Sequence, residues 1–204
     1  MTLQAACVDV PEKLVASADV VILPERVTWA QIREAQRRCP AAIIVGAVLE
    51  GPVLPGHPNR RPYCRAVVLH SGRNQVDYLK LGSDGHSDGV GYAPKRLPVY
   101  RYHKLVLGIV ICMDLETDIA GHVIGDLRLS QASKKVFCVP AAMTASSGWN
   151  FENFPSRFDD VHFAVCNRSD LGDPDQTRTR SCVRDPATKQ FTSQVHTEAL
   201  LFKI

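Results

Sequence analysis

Three side chains that can carry out covalent chemistry together stand at the ends of apolar segments of this chain. They are the carboxylate of Glu25, the amine of Lys80 and the thiol of Cys112. A thiol becomes a strong nucleophile only after it loses its proton, and a carboxylate can act as the base that removes it. An ammonium group can then hold the negative charge that develops on a substrate oxygen. The three residue types predict nucleophilic attack by Cys112, with Glu25 as the base and Lys80 as the electrostatic partner.

Each of the three residues is expected at the end of a strand. Residues 105–111 form the most apolar run of the chain, and after Cys112 the sequence becomes polar and helical. A nucleophile at such a strand-to-helix turn faces outward and leaves backbone N–H groups beside it for an oxyanion. The run before Glu25 reads as a buried strand that Pro24 ends, and the segment before Lys80 reads as the second strand of a hairpin.

The remaining pattern predicts an α/β protein with a single domain over residues 1–204. Thr28 and Gln31 have the spacing of a capping box at the start of a helix, and residues 118–132 have the apolar periodicity of a second helix. Two segments rich in Gly and Pro, 51–62 and 82–98, are expected to be irregular. Other predicted strands are 5–10, 42–48, 65–70, 136–139, 161–166, 181–183 and 190–195.

Composition excludes several classes of protein. Among 204 residues, 24 basic and 21 acidic side chains leave a net charge of only +3, so nucleic acid is not an expected partner. The seven cysteines include no Cys-x-x-Cys pair, which argues against a zinc site, and we expect neither a metal nor an organic cofactor. No apolar run approaches the ~20 residues that span a bilayer, and the first residues do not resemble a signal peptide. The expected location is cytoplasmic, with no membrane association.

Taken in order, the motifs resemble those of the nitrilase superfamily, the carbon–nitrogen hydrolases. Pro24-Glu25, Tyr78-Leu79-Lys80-Leu81 and residues 108–114 are similar to its three catalytic motifs, with 55 positions between the glutamate and the lysine and 32 between the lysine and the cysteine. The later segments 139–141, 164–168 and 184–186 are similar to strand ends and a turn of the family. The resemblance implies an α-β-β-α sandwich, a Glu-Lys-Cys triad and a homodimer or higher homo-oligomer.

The resemblance also implies an activity. It is that of a thiol hydrolase which cleaves a non-peptide carbon–nitrogen bond, in a small amide, a carbamoyl compound or a related substrate, through a cysteine thioester. An amidase is favoured over a nitrilase. The Met113 N–H is expected to share the oxyanion with Lys80, and Trp149 and Asn167 are expected to line the substrate pocket.

Two departures from the family pattern keep alternatives open. Many members have a further glutamate between the lysine and the cysteine, whereas residues 81–111 contain none and their only acids are Asp84 and Asp88. Either an aspartate, with Asp84 as a candidate site residue, replaces the glutamate, or the substrate is held differently. The segment before Glu25 is shorter than the family's first helix, as expected of a shortened member. A catalytically silent binding protein is therefore one alternative, and an acyltransferase that uses the same triad is another. Asp114 is expected to cap the helix after the cysteine.

Overall fold

The computed structural model describes residues 3–9, 11–14, 17–50, 62–81, 94–142, 160–168, 181–194 and 199–204. These residues contain two α-helices, α1 (Trp29–Arg38) and α2 (Asp118–Leu129), and two 3-10 helices, Pro11–Lys13 and Cys112–Glu116. The strands are β1 (Gln4–Cys7), β2 (Val20–Val27), β3 (Ile43–Glu50), β4 (Tyr63–His70), β5 (Arg73–Asn74), β6 (Tyr78–Leu79), β7 (Val99–Tyr102), β8 (Leu105–Ile109), β9 (Lys134–Ala141), β10 (His162–Asn167), β11 (Ser181–Arg184), β12 (Phe191–Gln194) and β13 (Leu200–Lys203).

The strands form two mixed sheets. The first has the order β13-β1-β2-β3-β4-β5, with β6 also paired to β4, and the second has the order β12-β11-β10-β9-β8-β7. The central pairs, β1 with β2, β2 with β3, β8 with β9 and β9 with β10, are parallel. Since parallel strands of one sheet end at the same edge, β1, β2 and β3 share a carboxyl edge in the first sheet, and β8, β9 and β10 share one in the second.

Alternation along β2 shows how the layers are built. Val20 and Ile22 belong to the apolar cluster between the two sheets, whereas Val21 and Leu23 belong to a second cluster with residues of α1. Strand side chains point to opposite faces in turn, so the first sheet is covered by the second sheet on one face and by α1 on the other. Helix α2 packs on the outer face of the second sheet, and the α-β-β-α sandwich is confirmed.

Both predicted helices are present. Thr28 Oγ1 accepts from the Gln31 N–H at 3.2 Å and Gln31 Oε1 accepts from the Thr28 N–H at 2.8 Å, so the capping box is formed as predicted. Helix α2 ends at Leu129, three residues before the predicted end, because Ser130 adopts extended backbone.

A glycine in the second sheet lets α2 lie close to it. A Cβ at Gly108 would stand 2.5 Å from Val123 Cγ1 and 3.0 Å from Leu127 Cδ1. Real side-chain contacts are longer than this, so any larger residue at position 108 would push the helix away.

Three strands, β5, β7 and β13, were not predicted; the predicted strand over residues 75–79 formed only as β6, and one predicted strand end was wrong. Strand β5 consists of two exposed residues, β7 is a half-exposed edge strand, and β13 contains only three apolar residues before Lys203, so none of them has a long apolar run to mark it. The prediction that Pro24 ends the second strand was wrong, because β2 continues to Val27. A proline lacks an N–H but is tolerated at a bulge, and the pairing of β2 with β3 shifts register on both sides of Glu25.

No helix within the described residues is long and apolar enough to cross a membrane. Much of the two predicted irregular segments, residues 51–61 and 82–93, lies outside the described residues.

Candidate active site

The bulge in β2 sets the direction of the Glu25 side chain. Ile22 pairs with Val45 and Glu25 with Ala47, so between these two pairs β2 contains one residue more than β3. Without the extra residue, Glu25 would lie on the same face as Leu23, towards α1. With it, Glu25 lies opposite Ala47, whose side chain belongs to the cluster between the sheets. A second shift, at Arg26 with φ 65°, then returns Val27 to the α1 side.

Lys80 reaches the same interior from the neighbouring part of the first sheet. Tyr78 pairs with Ala66, and the Lys80 N–H donates to the Cys64 carbonyl at 2.9 Å. Ala66, Cys64 and Tyr78 all belong to the cluster between the sheets, so the register continues to Lys80 and directs its side chain inward.

Cys112 comes from the second sheet. It follows β8 and is the first residue of the 3-10 helix Cys112–Glu116, and its φ is 45°. A positive φ is costly for a residue with a side chain, and such strain is typical of a nucleophile held on a sharp turn between a strand and a helix. The turn places the thiol between the sheets rather than in solvent, because Cys112 is buried.

The three predicted side chains meet in a buried cluster. Lys80 Nζ donates to Glu25 Oε1 at 2.6 Å, and the two residues are 2% and 0% exposed. Both charges lose their hydration on burial, so the free energy of such an ion pair is favourable only where the geometry is good. Glu25 Oε2 is also buried and has no hydrogen-bond partner of ordinary geometry among the described residues.

The surroundings keep the Cys112 thiol protonated at rest. Burial and, after it, the negative charge of Glu25 raise its pKa to about 12, although the charge of Lys80 and the N–H of Ala142 act to lower it. Because Glu25 already neutralises Lys80, the cation does not hold a standing thiolate. The cluster therefore contains a thiol, a carboxylate able to take its proton and an ammonium group, all of them buried.

The other predicted site residues have mixed outcomes. Met113 lies in the first turn of the 3-10 helix, where N–H groups have no acceptor within the helix, and its side chain is half-buried. Asn167 is fully buried at the end of β10, opposite Ala141, and its N–H donates to Ser181 Oγ at 3.0 Å. Asp84 and Trp149 lie outside the described residues.

The expectation that Asp114 caps a helix was wrong. The residues before the 3-10 helix and before α2 are Ile111 and Thr117, and Asp114 is at neither position. Its carboxylate is fully buried and instead accepts from the Tyr78 hydroxyl and from the Leu81 N–H. Tyr78 lies 36 positions away from Asp114 in the chain, so no local sequence pattern could predict this hydrogen bond.

Sequence reasoning also missed the N–H of Ala142, which lowers the pKa of the thiol. Ala142 follows β9, and it reaches Cys112 because β9 pairs with β8. Within the described ranges no group of three or more His, Cys, Asp or Glu side chains is arranged to hold a metal ion.

Comparison with solved structures identifies the architecture. A Saccharomyces cerevisiae member of branch 10 of the nitrilase superfamily has a TM-score of 0.69 at 13% identity, over 99% of this chain and 89% of that one. A CN-hydrolase superfamily protein of Xanthomonas campestris, with an arsenic adduct in its active site, has a TM-score of 0.68 at 16% identity, over 100% and 91%.

A third similar structure shows a reacted cysteine. It is a variant of the amidase of Nesterenkonia sp. AN1, with the acetamide moiety of fluoroacetamide covalently added at the active-site cysteine, and has a TM-score of 0.63 at 17% identity, over 100% and 89%. No protein-family model and no curated protein matches the chain by sequence. The element order, the two packed sheets and the likeness over nearly the whole of each chain agree, and this protein has the fold of the nitrilase superfamily.

Proposed function

We propose that the protein is a carbon–nitrogen hydrolase that cleaves a small amide or carbamoyl compound through a thioester on Cys112. The observation that carries the proposal is the buried Glu25–Lys80 pair beside the Cys112 thiol. The covalently modified cysteine of the Nesterenkonia amidase supports a cysteine nucleophile here, since that protein shares the fold. A nitrile is the less favoured substrate.

The raised pKa of Cys112 determines the first step. A resting thiol has to lose its proton as it attacks, so Glu25 takes the proton while the sulfur bonds to the substrate carbon. Lys80 and the Met113 N–H hold the oxygen that becomes negative. Loss of one such donor typically lowers the rate by ~10²–10³.

The remaining steps return the site to its starting state. The tetrahedral intermediate collapses, the carbon–nitrogen bond breaks, and protonated Glu25 gives its proton to the leaving amine. A water molecule then loses a proton to Glu25 and attacks the thioester carbon. The acid leaves, and Cys112 recovers its proton from Glu25.

Ammonia release from a panel of small amides, carbamoyl compounds and nitriles tests the proposal. Wild-type protein is expected to release ammonia from at least one of them, and Cys112→Ala is expected to release none. Cys39→Ala is the matched control, because Cys39 is a buried thiol that packs with residues of α1 on the other face of the first sheet. Equal release by wild type and Cys112→Ala would contradict the assignment of the nucleophile.

The same panel separates the two alternatives. A folded wild-type protein that releases no ammonia and nonetheless binds an amide would favour the silent binding protein. Formation of a new amide with an added primary amine, with no acid formed when the amine is left out, would favour the acyltransferase. Speed of thiol labelling alone does not separate them, because a thiol with a pKa of about 12 reacts slowly in an active site of this kind as well.

We also propose a homodimer or higher homo-oligomer. Leu129, the last residue of the helix that follows the nucleophile, is 82% exposed. The proposal rests on the resemblance to the nitrilase superfamily, whose members usually assemble through helices near the cysteine, and Leu129 is the exposed apolar residue of that helix on which we test it. Light scattering tests the assembly: we expect at least twice the mass of one chain, reduced by Leu129→Lys, and a monomeric wild type would contradict it.

A further inference from the structure

Asp114 is a fully buried carboxylate that the proposed chemistry does not use. It lies two positions after Cys112, within the 3-10 helix that carries the nucleophile. Its Oδ2 accepts from the Tyr78 hydroxyl, and its Oδ1 and Oδ2 accept from the Leu81 N–H at 3.0 and 2.9 Å. A carboxylate with these donors is well satisfied in the interior, and its bonds are of the stronger, charge-assisted kind.

The two donors stand on either side of Lys80 in the chain. The Lys80 N–H donates to the Cys64 carbonyl of the first sheet, and β6 is only two residues long. So short a strand has few ladder bonds to hold its direction. Asp114 adds a tether before the lysine and another after it, and both tethers lead to the turn of the cysteine on the opposite sheet.

We propose that Asp114 is a positioning residue that, with Tyr78, holds Lys80 in register with the turn of Cys112. This inference rests on the proposed function, since it assigns a role relative to the same triad. It concerns the link between the two sheets: the base and the lysine come from one sheet, the nucleophile comes from the other, and Asp114 joins the lysine segment to the nucleophile's own helix.

The first test keeps every charge in place. Tyr78→Phe removes one tether and leaves the ring, and it does not change the charge near Cys112. Because Lys80 lowers the pKa of Cys112, a displaced lysine raises that pKa and slows reaction through the thiolate. The readout is the pH dependence of exchange between Cys112 and bis(2-hydroxyethyl) disulfide, followed by mass spectrometry of the peptide that contains Cys112.

The expected result is a slower exchange at pH 9. A rise of one pKa unit lowers the thiolate fraction about tenfold, and greater nucleophilicity returns part of it, so the rate falls about threefold per unit. Tyr100→Phe is the matched control, because its hydroxyl bonds to His70 Nδ1 at 2.6 Å in a cluster of surface aromatic rings. An unchanged rate in Tyr78→Phe, or an equal change in Tyr100→Phe, would overturn the inference.

The second test is a double-mutant cycle between Asp114→Asn and Lys80→Met. Loss of the Asp114 charge speeds exchange directly, and release of Lys80 slows it, so the single variant mixes two effects. In the Lys80→Met background only the direct effect is left, and the ratio of the two effects isolates the coupling. For each background we take the exchange rate with Asp114→Asn divided by the rate without it. We expect this ratio to be at least about threefold lower with Lys80 present than in the Lys80→Met background, and a threefold change corresponds to one pKa unit.

The outcomes separate this inference from the proposed function. Exchange at Cys112 needs no substrate, so coupling in the cycle supports the positioning role even if no amide is hydrolysed. In the converse outcome, the wild type releases ammonia while the two substitutions have strictly independent effects on exchange. That outcome supports the hydrolase and refutes the positioning role. Asp126→Asn is the control for the charge change, since that carboxylate lies on α2 and pairs with Arg101 of β7. If Lys80→Met does not fold, the Tyr78→Phe rates decide.

Discussion

Replacing Glu25 with glutamine is expected to change two activities of Cys112 in opposite directions. In the wild type, Glu25 neutralises Lys80 and its charge raises the pKa of the thiol. In Glu25→Gln the ammonium group has lost its anion, and the thiolate of Cys112 can take that place. The resting thiol then ionises more readily, but no carboxylate is left to move protons during hydrolysis.

The magnitudes follow from the electrostatics. A charged neighbour typically shifts a pKa by ~1–3 units. If removal of Glu25 lowers the pKa of Cys112 by one to two units from about 12, the thiolate fraction at pH 8 rises about 10- to 100-fold. A less basic thiolate is also a weaker nucleophile, so the exchange rate with a small disulfide rises by only about three- to tenfold. Hydrolysis falls by ~10²–10⁴, the usual contribution of a general base.

Two measurements on the same preparations check this. Exchange of Cys112 with bis(2-hydroxyethyl) disulfide at pH 8 reports the ionisation of the thiol, and ammonia release reports hydrolysis. Glu12→Gln is the control, because Glu12 is an exposed carboxylate in the 3-10 helix near the start of the chain. Exchange that slows or stays constant in Glu25→Gln would refute the reasoning, since Glu25 would then not act on the thiol at all.

Three further outcomes are expected. Lys80→Met should slow both activities, disulfide exchange because the pKa of Cys112 rises and hydrolysis by ~10²–10³ because an oxyanion donor is lost; faster exchange would contradict this. Gly108→Ala should lower the free energy of unfolding by ~1–3 kcal/mol, because the added Cβ overpacks against α2. At Gly121, on that helix, a Cβ meets open space, so Gly121→Ala should leave the free energy of unfolding unchanged or raise it by up to ~1 kcal/mol. Urea unfolding compares the two variants. Burial raises the pKa of Cys112 from 9.0 to about 12 and also raises that of Tyr78, so the folded state holds protons that the unfolded state releases. The contribution of Cys112 to the free energy of unfolding is complete below pH 9 and is lost as the pH rises towards 12, by at most ~1.4 kcal/mol per pH unit. Urea unfolding of Cys112→Ala above pH 9 should therefore depend less on pH than that of the wild type.

Local patterns predicted much of the scaffold. The capping box of Thr28 and Gln31 formed as predicted, because its bonds join residues three positions apart. The apolar run before Cys112 became β8, an interior strand of the second sheet, because a run that is apolar at every position is stable only where both faces are covered. Helix α2 follows from the 3.6-residue spacing of its buried side chains.

Pairing between distant strands decided the rest. The direction of Glu25 depends on one extra residue in β2 relative to β3, and the proline that marks the place was taken for the strand's end. Asp114 was expected to cap a helix, and it bonds instead to Tyr78, on the other sheet. Neither contact has a fixed spacing along the chain.

The sequence by itself determined which residue types stand at the strand ends and which segments are buried, since periodicity and capping act over a few residues. Only the tertiary structure decided which face each side chain occupies at the strand ends, and thus that Glu25 and Lys80 meet between the sheets. The physical reason is that side chains alternate along a strand, so a register shift of one residue reverses the face, and register is set by a partner elsewhere in the chain.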